Sequence, residues 1–252
     1  MLRTELVAAL ELEDGLLENL HGSLPGFSPS AEHHKNTMAA KEALLLPFAD
    51  PKRYSSFLDA YDAIVCSVLA PALAESLGTE LTSLWYACLP TLRVQTPSSN
   101  LATIRPHCDG MYGLQPGSVN YWLPLTRVSS SSALWVETEE GMDGEEEEKA
   151  QTGEHEAPFA YHALTRPTRF EGRGRIHFTV PNRSPHTRVS LDLRCVPGHL
   201  YIPDARLSKL GYFSLAERSR GGHEWTKTRS GRVSKLHGLP HAGEPREVEA
   251  PL

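Results

Sequence analysis

The segment Arg105-Pro106-His107-Cys108-Asp109-Gly110 carries an imidazole and a carboxylate two positions apart. In an extended strand alternate side chains share a face, so His107 and Asp109 point one way and Cys108 the other. Such a pair supplies two of the three donors of a 2-His-1-carboxylate triad. That set suits Fe(II) and leaves positions open for a cosubstrate and dioxygen. An HxD alone is short and common, so a second element must complete it.

The stretch IHFTVPNRSPHTRVSLDLR does so. His177 and Thr179 share a face of a short strand, and Pro181 to Pro185 reads as a turn. A second strand then alternates Arg188, Ser190, Asp192 and Arg194 against Val189, Leu191 and Leu193. Such a strand could be an ordinary surface strand. Arg188, however, follows His177 by eleven residues, and a short turn between antiparallel neighbours brings it close to the metal. A guanidinium fork grips a carboxylate through two hydrogen bonds, and Ser190 adds a hydroxyl donor.

Other residues gather around these. On 119–125, Asn120 and Trp122 share a face, placing Asn120 to bond a cosubstrate and Trp122 to wall a pocket; a satisfied Asn and a packed Trp are the alternative. Arg93 and Gln95 share a face of the preceding strand, as contacts for cosubstrate or substrate or as an exposed face. Tyr112 lies just past the ligand pair, where a loop can lean over the metal. Glu137 ends a strand of bulky residues and is a candidate for a substrate hydroxyl or amine. His186 is an alternative ligand, more simply assigned to its turn, and Cys108 reads as a thiol facing away.

The elements that position these residues change character along the chain. Residues 1–83 read as mainly helical, with one helix over 3–20 and another over about 55–78 that Pro71 should end or kink. From 84 onward, short segments bounded by turn residues read as strands: 85–94, 102–108, 119–125, 133–138, 160–164, 176–180 and 187–195. The acidic run at 139–156 is too polar to pack and reads as a mobile insert in a β core spanning 84–226. Residues 227–252 read as a disordered tail.

HxD, a distant His, then Arg-x-Ser resembles the Fe(II)/2-oxoglutarate oxygenases. HCDGMYGLQPGSVNYWLPLT, LWVET and HFTVPNRSPHTRVSLDLR are similar to the phytanoyl-CoA dioxygenase superfamily, and within it to the streptomycin-biosynthesis oxygenase-like branch. The resemblance spans roughly 84–225. It implies a mainly β fold with flanking helices, a double-stranded β-helix of the cupin-like jelly-roll kind. It further implies iron held by His107, Asp109 and His177, and 2-oxoglutarate chelating the metal with its far carboxylate on Arg188 and Ser190. Halogenating relatives lack the carboxylate ligand, so the presence of Asp109 favours hydroxylation or a related oxidation. The expected partners are O2 and a small polar metabolite, with succinate and CO2 released. A metal-containing binding module and a cupin-type enzyme that ignores 2-oxoglutarate are the competing readings, and Arg188-Val189-Ser190 separates them from the first.

Bulk properties agree. With 40% hydrophobic and 22% charged residues the 252-residue chain can build a sizeable core. A net charge of −6 shows no nucleic-acid footprint. Four cysteines without a CxxC pair suit a reducing compartment. No run approaches the roughly 18 uninterrupted apolar residues of a membrane span, so a cytoplasmic location without membrane attachment is expected.

Overall fold

The computed structural model describes residues 1–10, 12–13, 16–23, 54–77, 81–97, 102–138 and 161–231. The acidic stretch 139–156 lies outside the described residues, as does the tail from 232.

Among the described residues, ten strands form two antiparallel sheets. They are β1 (Ser83–Ala87), β2 (Thr91–Gln95), β3 (Val119–Pro124), β4 (Leu134–Glu137), β5 (Tyr161–Leu164), β6 (Thr168–Phe170), β7 (His177–Phe178), β8 (Arg188–Pro197), β9 (Phe213–Arg218) and β10 (Trp225–Arg229). The larger sheet runs β10-β9-β1-β8-β3-β6, with β2 also paired to β8; the smaller runs β5-β4-β7. An isolated bridge between His107 and His177 adds a rudimentary fourth member beside β7. From β2 onward the chain passes from the large sheet to the His107 bridge, back to β3, across to β4 and β5, back to β6, across to β7 and back to β8. This alternation winds two facing sheets together. The fold is mainly β with flanking helices, a jelly roll of the double-stranded β-helix type.

Alternation along β8 divides the molecule chemically. Val189, Leu191, Leu193 and Cys195 join Leu84, Tyr86, Leu92 and Val94 in the main core, on the face covered by helices. Each fully buried Leu or Val there contributes roughly 1.5–3 kcal/mol. The opposite face carries Arg188, Ser190, Asp192 and Arg194 inward, toward the smaller sheet. A second core of Ile104, Trp122, Leu134, Val136 and Leu164 ties the two sheets together.

Several sequence expectations change. The helix expected over 3–20 stops at Ala9 and resumes as short turns at Leu16–Asn19 and Leu20–Ser23. The intervening sequence is acidic and contains Gly15, and acids at a helix C-terminus oppose its dipole. Pro71 does not end the second helix, which runs from Ser55 to Leu77. A π turn at Val65–Leu69 immediately precedes it and accommodates the ring and the missing N–H. By length and composition this helix could cross a membrane; here Phe57, Tyr61, Val65, Leu69 and Leu73 are buried in the main core.

The strand expected over 85–94 is two, broken before Pro90, which cannot donate to a ladder. Residues 102–108 form no strand beyond the His107 bridge. The core extends past 226, because β10 continues to Arg229 and Lys227 Nζ pairs with Asp62 Oδ2 on the long helix at 2.5 Å. Strands β7 and β8 are not neighbours in one sheet: β7 pairs with β4 and β8 with β1, β2 and β3. Arg188 therefore faces the His177 sheet from across the sandwich.

Candidate metal centre

His107, Asp109 and His177 each offer a donor atom, and the three atoms lie within 4.8 Å of one another. His107 Nε2 is 3.7 Å and His177 Nε2 3.8 Å from Asp109 Oδ1. The pairing is not made by one strand, as the HxD spacing suggests. Cys108 is extended and caps a 3-10 turn, Asp109–Tyr112, so Asp109 turns inward at the start of that turn while His107 is held by its bridge.

Each imidazole is oriented by its own segment. His107 Nδ1 lies 2.8 Å from the Arg105 carbonyl and His177 Nδ1 3.1 Å from that of Arg175. A carbonyl only accepts, so both Nδ1 atoms carry the hydrogen and both Nε2 lone pairs face Asp109. This carbonyl-oriented imidazole is the usual outer support of a metal-binding His. Burial lowers the His177 pKa, with Asp109 opposing and His107 adding.

Asp109 is buried and held on two sides. Asn120 Nδ2 donates to Oδ2 at 2.6 Å, and Arg194 places Nε on Oδ2 and Nη2 on Oδ1, each at 3.2 Å. Burial alone would raise the carboxyl pKa, but the Arg194 guanidinium beside it holds it well below the usual range. The donor set of two imidazole nitrogens and one carboxylate oxygen, converging in a partly buried site, fits a divalent first-row metal.

The second feature is Arg188, 1% exposed. Nε donates to Ser132 O at 3.0 Å, Nη1 to Ser190 Oγ at 2.8 Å and Nη2 to Gln95 Oε1 at 2.9 Å. A guanidinium has five N–H donors, so one on each terminal nitrogen remains without a partner among the described residues. None of the described carboxylates forms an ion pair with it; the nearby Asp192 is paired with Arg93 at 2.8 Å. Ser190 Oγ also accepts from Trp122 Nε1 at 3.1 Å. Both bonds use its lone pairs, which leaves its O–H free to donate.

The remaining sequence candidates fall into place around these two centres. Gln95 braces Arg188 and also bonds Val180 O at 2.7 Å, and Asn120 braces Asp109. Both expected cosubstrate contacts are thus engaged with protein groups. Trp122 lies under Arg188, 5.8 Å from ring centroid to guanidinium. Arg93 is tied to Asp192. Tyr112 sets its ring edge-to-face against His107 at 5.2 Å. Glu137 is the clear correction. Val136 pairs with His177, so its neighbour Glu137 lies on the opposite face, where Oε2 accepts the Ile176 N–H at 2.9 Å. His186 is outside the donor cluster and belongs to its turn, where its carbonyl accepts from Asn182.

Sequence reasoning did not single out Arg194, Phe170 or His162. The unbroken alternation of β8 was the signal for Arg194. Phe170 meets His177 edge-to-face at 5.4 Å. His162 pairs with Val136 and so shares the inner face with His177; no spacing in the sequence announces it.

No protein-family model matches the chain. Over 152 residues it is 31% identical to the streptomycin biosynthesis protein StrG of Streptomyces griseus, covering 60% of this chain and 66%, just under two thirds, of that relative. This bears out the resemblance carried by the motifs. Among solved structures, a non-heme monooxygenase, ThoJ in its apo form, is similar at TM-score 0.44 and 14% identity over 93% of this chain and 85% of that one. The α-ketoglutarate-dependent epimerase SnoN from nogalamycin biosynthesis is similar at TM-score 0.37 and 15% identity, over 69% and 61%. At these scores the likenesses add nothing to the strand order and site geometry described above.

Proposed function

We propose that the protein is an Fe(II)- and 2-oxoglutarate-dependent oxygenase that oxidises, and most simply hydroxylates, a small polar metabolite. His107, Asp109 and His177 would hold the metal through Nε2, one carboxylate oxygen and Nε2. Bound iron with 2-oxoglutarate supplies oxidation of a C–H bond by O2, coupled to conversion of the oxo-acid to succinate and CO2.

The observation that carries this reading is the uncompensated charge of Arg188. Inside the sandwich, Asp109 is balanced by Arg194 and Asp192 by Arg93, whereas no described carboxylate forms an ion pair with Arg188 and Asp192 acts on it only without direct contact. A buried cation without a counter-ion is costly. Two unpaired N–H groups on its fork and the free Ser190 O–H make three donors for one carboxylate. A divalent metal nearby would add further positive charge. A dianion that chelates the metal at one end and ends in a carboxylate at the other answers both needs, and 2-oxoglutarate is that dianion. A metal-containing binding module has no use for the second carboxylate clamp, nor has a metalloenzyme without an oxo-acid cosubstrate.

The residues then divide the work. Arg188 and Ser190 bind and orient the oxo-acid, Gln95 and Trp122 hold that clamp still, and Asn120 and Arg194 hold Asp109. Tyr112 and Phe170 pack against the two ligand imidazoles and limit water there. The substrate class is supported by the similarity to a streptomycin biosynthesis protein and by the polar inner face. Succinate formation from 2-oxoglutarate by iron-loaded protein in air, followed by mass spectrometry, tests the reaction. Slow succinate release in wild type, lost in His177→Ala, is expected. Binding of 2-oxoglutarate without any release, across a panel of polar metabolites, would favour a binding role.

A further inference from the structure

The loop between β6 and β7, Glu171-Gly172-Arg173-Gly174-Arg175, lies directly against the carboxylate ligand's segment. Asp109 N donates to Gly172 O at 2.8 Å and Gly110 N to Arg173 O at 3.0 Å. A Cβ on Gly110 would come within 2.8 Å of that Arg173 oxygen, so backbone approach accounts for the glycine there. Gly172 is different, because its absent Cβ would fall on the side-chain amide of Asn120, with the edge of the Phe170 ring next at 2.9 Å.

That amide has one protein bond, to Asp109 Oδ2, and its Oδ1 is buried without a partner among the described residues. A buried acceptor left unpaired is costly, so packing alone does not account for an Asn here. Arg194 grips the other edge of Asp109 and is itself anchored through Nη1 to Thr91 Oγ1 at 3.2 Å and Tyr212 Oη at 3.3 Å. Oδ2 thus receives two donors, whereas Oδ1 receives one and is the oxygen that faces both imidazole Nε2 atoms.

We propose that Asn120 and Arg194 are positioning residues that restrict Asp109 to one-oxygen metal ligation, and that Gly172 is required in order to seat Asn120. The inference rests on the metal-site reading given above. A carboxylate free to offer both oxygens would take a position that a chelating oxo-acid or dioxygen needs. Saturating Oδ2 with hydrogen bonds keeps that position open. The specific consequence is that Gly172 acts on the metal chiefly through Asn120, whose amide a Cβ there would meet at 2.3 Å against 2.9 Å for the Phe170 ring.

The test uses Co(II) as a spectroscopic stand-in for Fe(II) in the full chain. Affinity and d–d absorption are recorded for wild type, Asn120→Ala, Gly172→Ala and the double variant, with folding checked by near-ultraviolet circular dichroism. Each single variant should bind Co(II) about 10- to 100-fold more weakly, as for lost outer-shell support generally, and should show an altered absorption envelope. The double variant should be no weaker than Asn120→Ala, because neighbours acting through one contact are non-additive. Folded single variants with wild-type affinity and spectrum would overturn the proposal, and losses that add in the double variant would overturn the role of Gly172. Should Asn120→Ala not fold, Asn120→Ser and its double with Gly172→Ala replace it under the same criteria. Wild type that does not bind Co(II) would overturn the metal-site reading itself, and this proposal with it, whereas a tight wild type beside unaffected variants overturns the positioning claim alone.

Discussion

Replacing Arg188 by Met removes a charge while keeping an unbranched side chain in the same space. Burial pushes the Arg188 pKa down from its ordinary value to about 10, with Asp192 opposing and Arg93 adding. At 1.36 kcal/mol per pKa unit, the cation is about 3 kcal/mol less comfortable here than in water. A carboxylate docked on its fork relieves a penalty of that order, so losing the cation should weaken 2-oxoglutarate binding by about 3 kcal/mol, roughly 100-fold in Kd. Folding should respond quite differently. Met orphans the Ser132 carbonyl and Gln95 Oε1, at roughly 1–3 kcal/mol each, but it also removes the uncompensated charge. The two effects nearly cancel, and Tm should move by only a few degrees. Anaerobic calorimetric titration of 2-oxoglutarate into Co(II)-loaded protein, beside a thermal melt, reads both quantities. Wild-type Kd in Arg188→Met would refute the clamp. A variant that loses affinity only because it has unfolded would refute the reasoning that Arg188 serves ligand binding more than stability.

Further predictions concern the rest of the molecule. Cys88 and Cys195 are buried, and burial pushes their thiols up to about 11 and about 12; at pH 8 a disulfide reagent should label neither until the protein is denatured, as mass mapping would show. Burial, with Arg175 adding, lowers the His162 pKa below 6.5. The fold therefore favours neutral imidazole, and this contribution to stability is present above pH 6.5 and lost as pH falls below it. Melts between pH 7.5 and roughly 5 should show a flatter pH dependence for His162→Gln than for wild type, and identical slopes would contradict this. Leu73 on the long helix is fully buried in the main core; Leu73→Ala should cost about 2–5 kcal/mol in urea unfolding with Co(II) affinity unchanged. A loss under 1 kcal/mol would mean that the helix is not part of the cooperative core.

The candidate ligands were legible because metal binding imposes residue type and the chain supplies it in compact segments. His107, Asp109, His177, Arg188 and Ser190 all come from two stretches whose motifs stand out. The inner face of β8 was equally plain from its alternation, which fixes orientation relative to neighbouring residues but not which sheet the strand joins. For that reason Arg188 was placed beside His177 in one hairpin, when the turn at 181–187 carries the chain from one sheet to the other. For Asn120 and Gln95 the sequence left inward and ordinary readings open, because their partners depend on contacts between segments far apart in sequence. Asn120 reaches Asp109 from eleven residues away and Gln95 meets Arg188 across ninety-three. Glu137 was misplaced because a face can be read from one strand only when an inward residue on that strand is already known, and Val136 gave no such sign until it was paired with His177. Strands β9 and β10 escaped notice because their outer residues are charged; they form a hairpin with each other, and only β9 joins β1.

On the proposed function, one site binds both Fe(II) and 2-oxoglutarate through these residues. Addition of 2-oxoglutarate to anaerobic, Fe(II)-loaded protein tests it most directly, because chelation of the oxo-acid produces a visible metal-to-ligand charge-transfer band. The band should appear in wild type, be absent in His177→Ala, and need far more 2-oxoglutarate to develop in Arg188→Met. Folded, iron-loaded wild type that stays colourless at saturating 2-oxoglutarate would contradict the claim and leave a metal site without an oxo-acid cosubstrate.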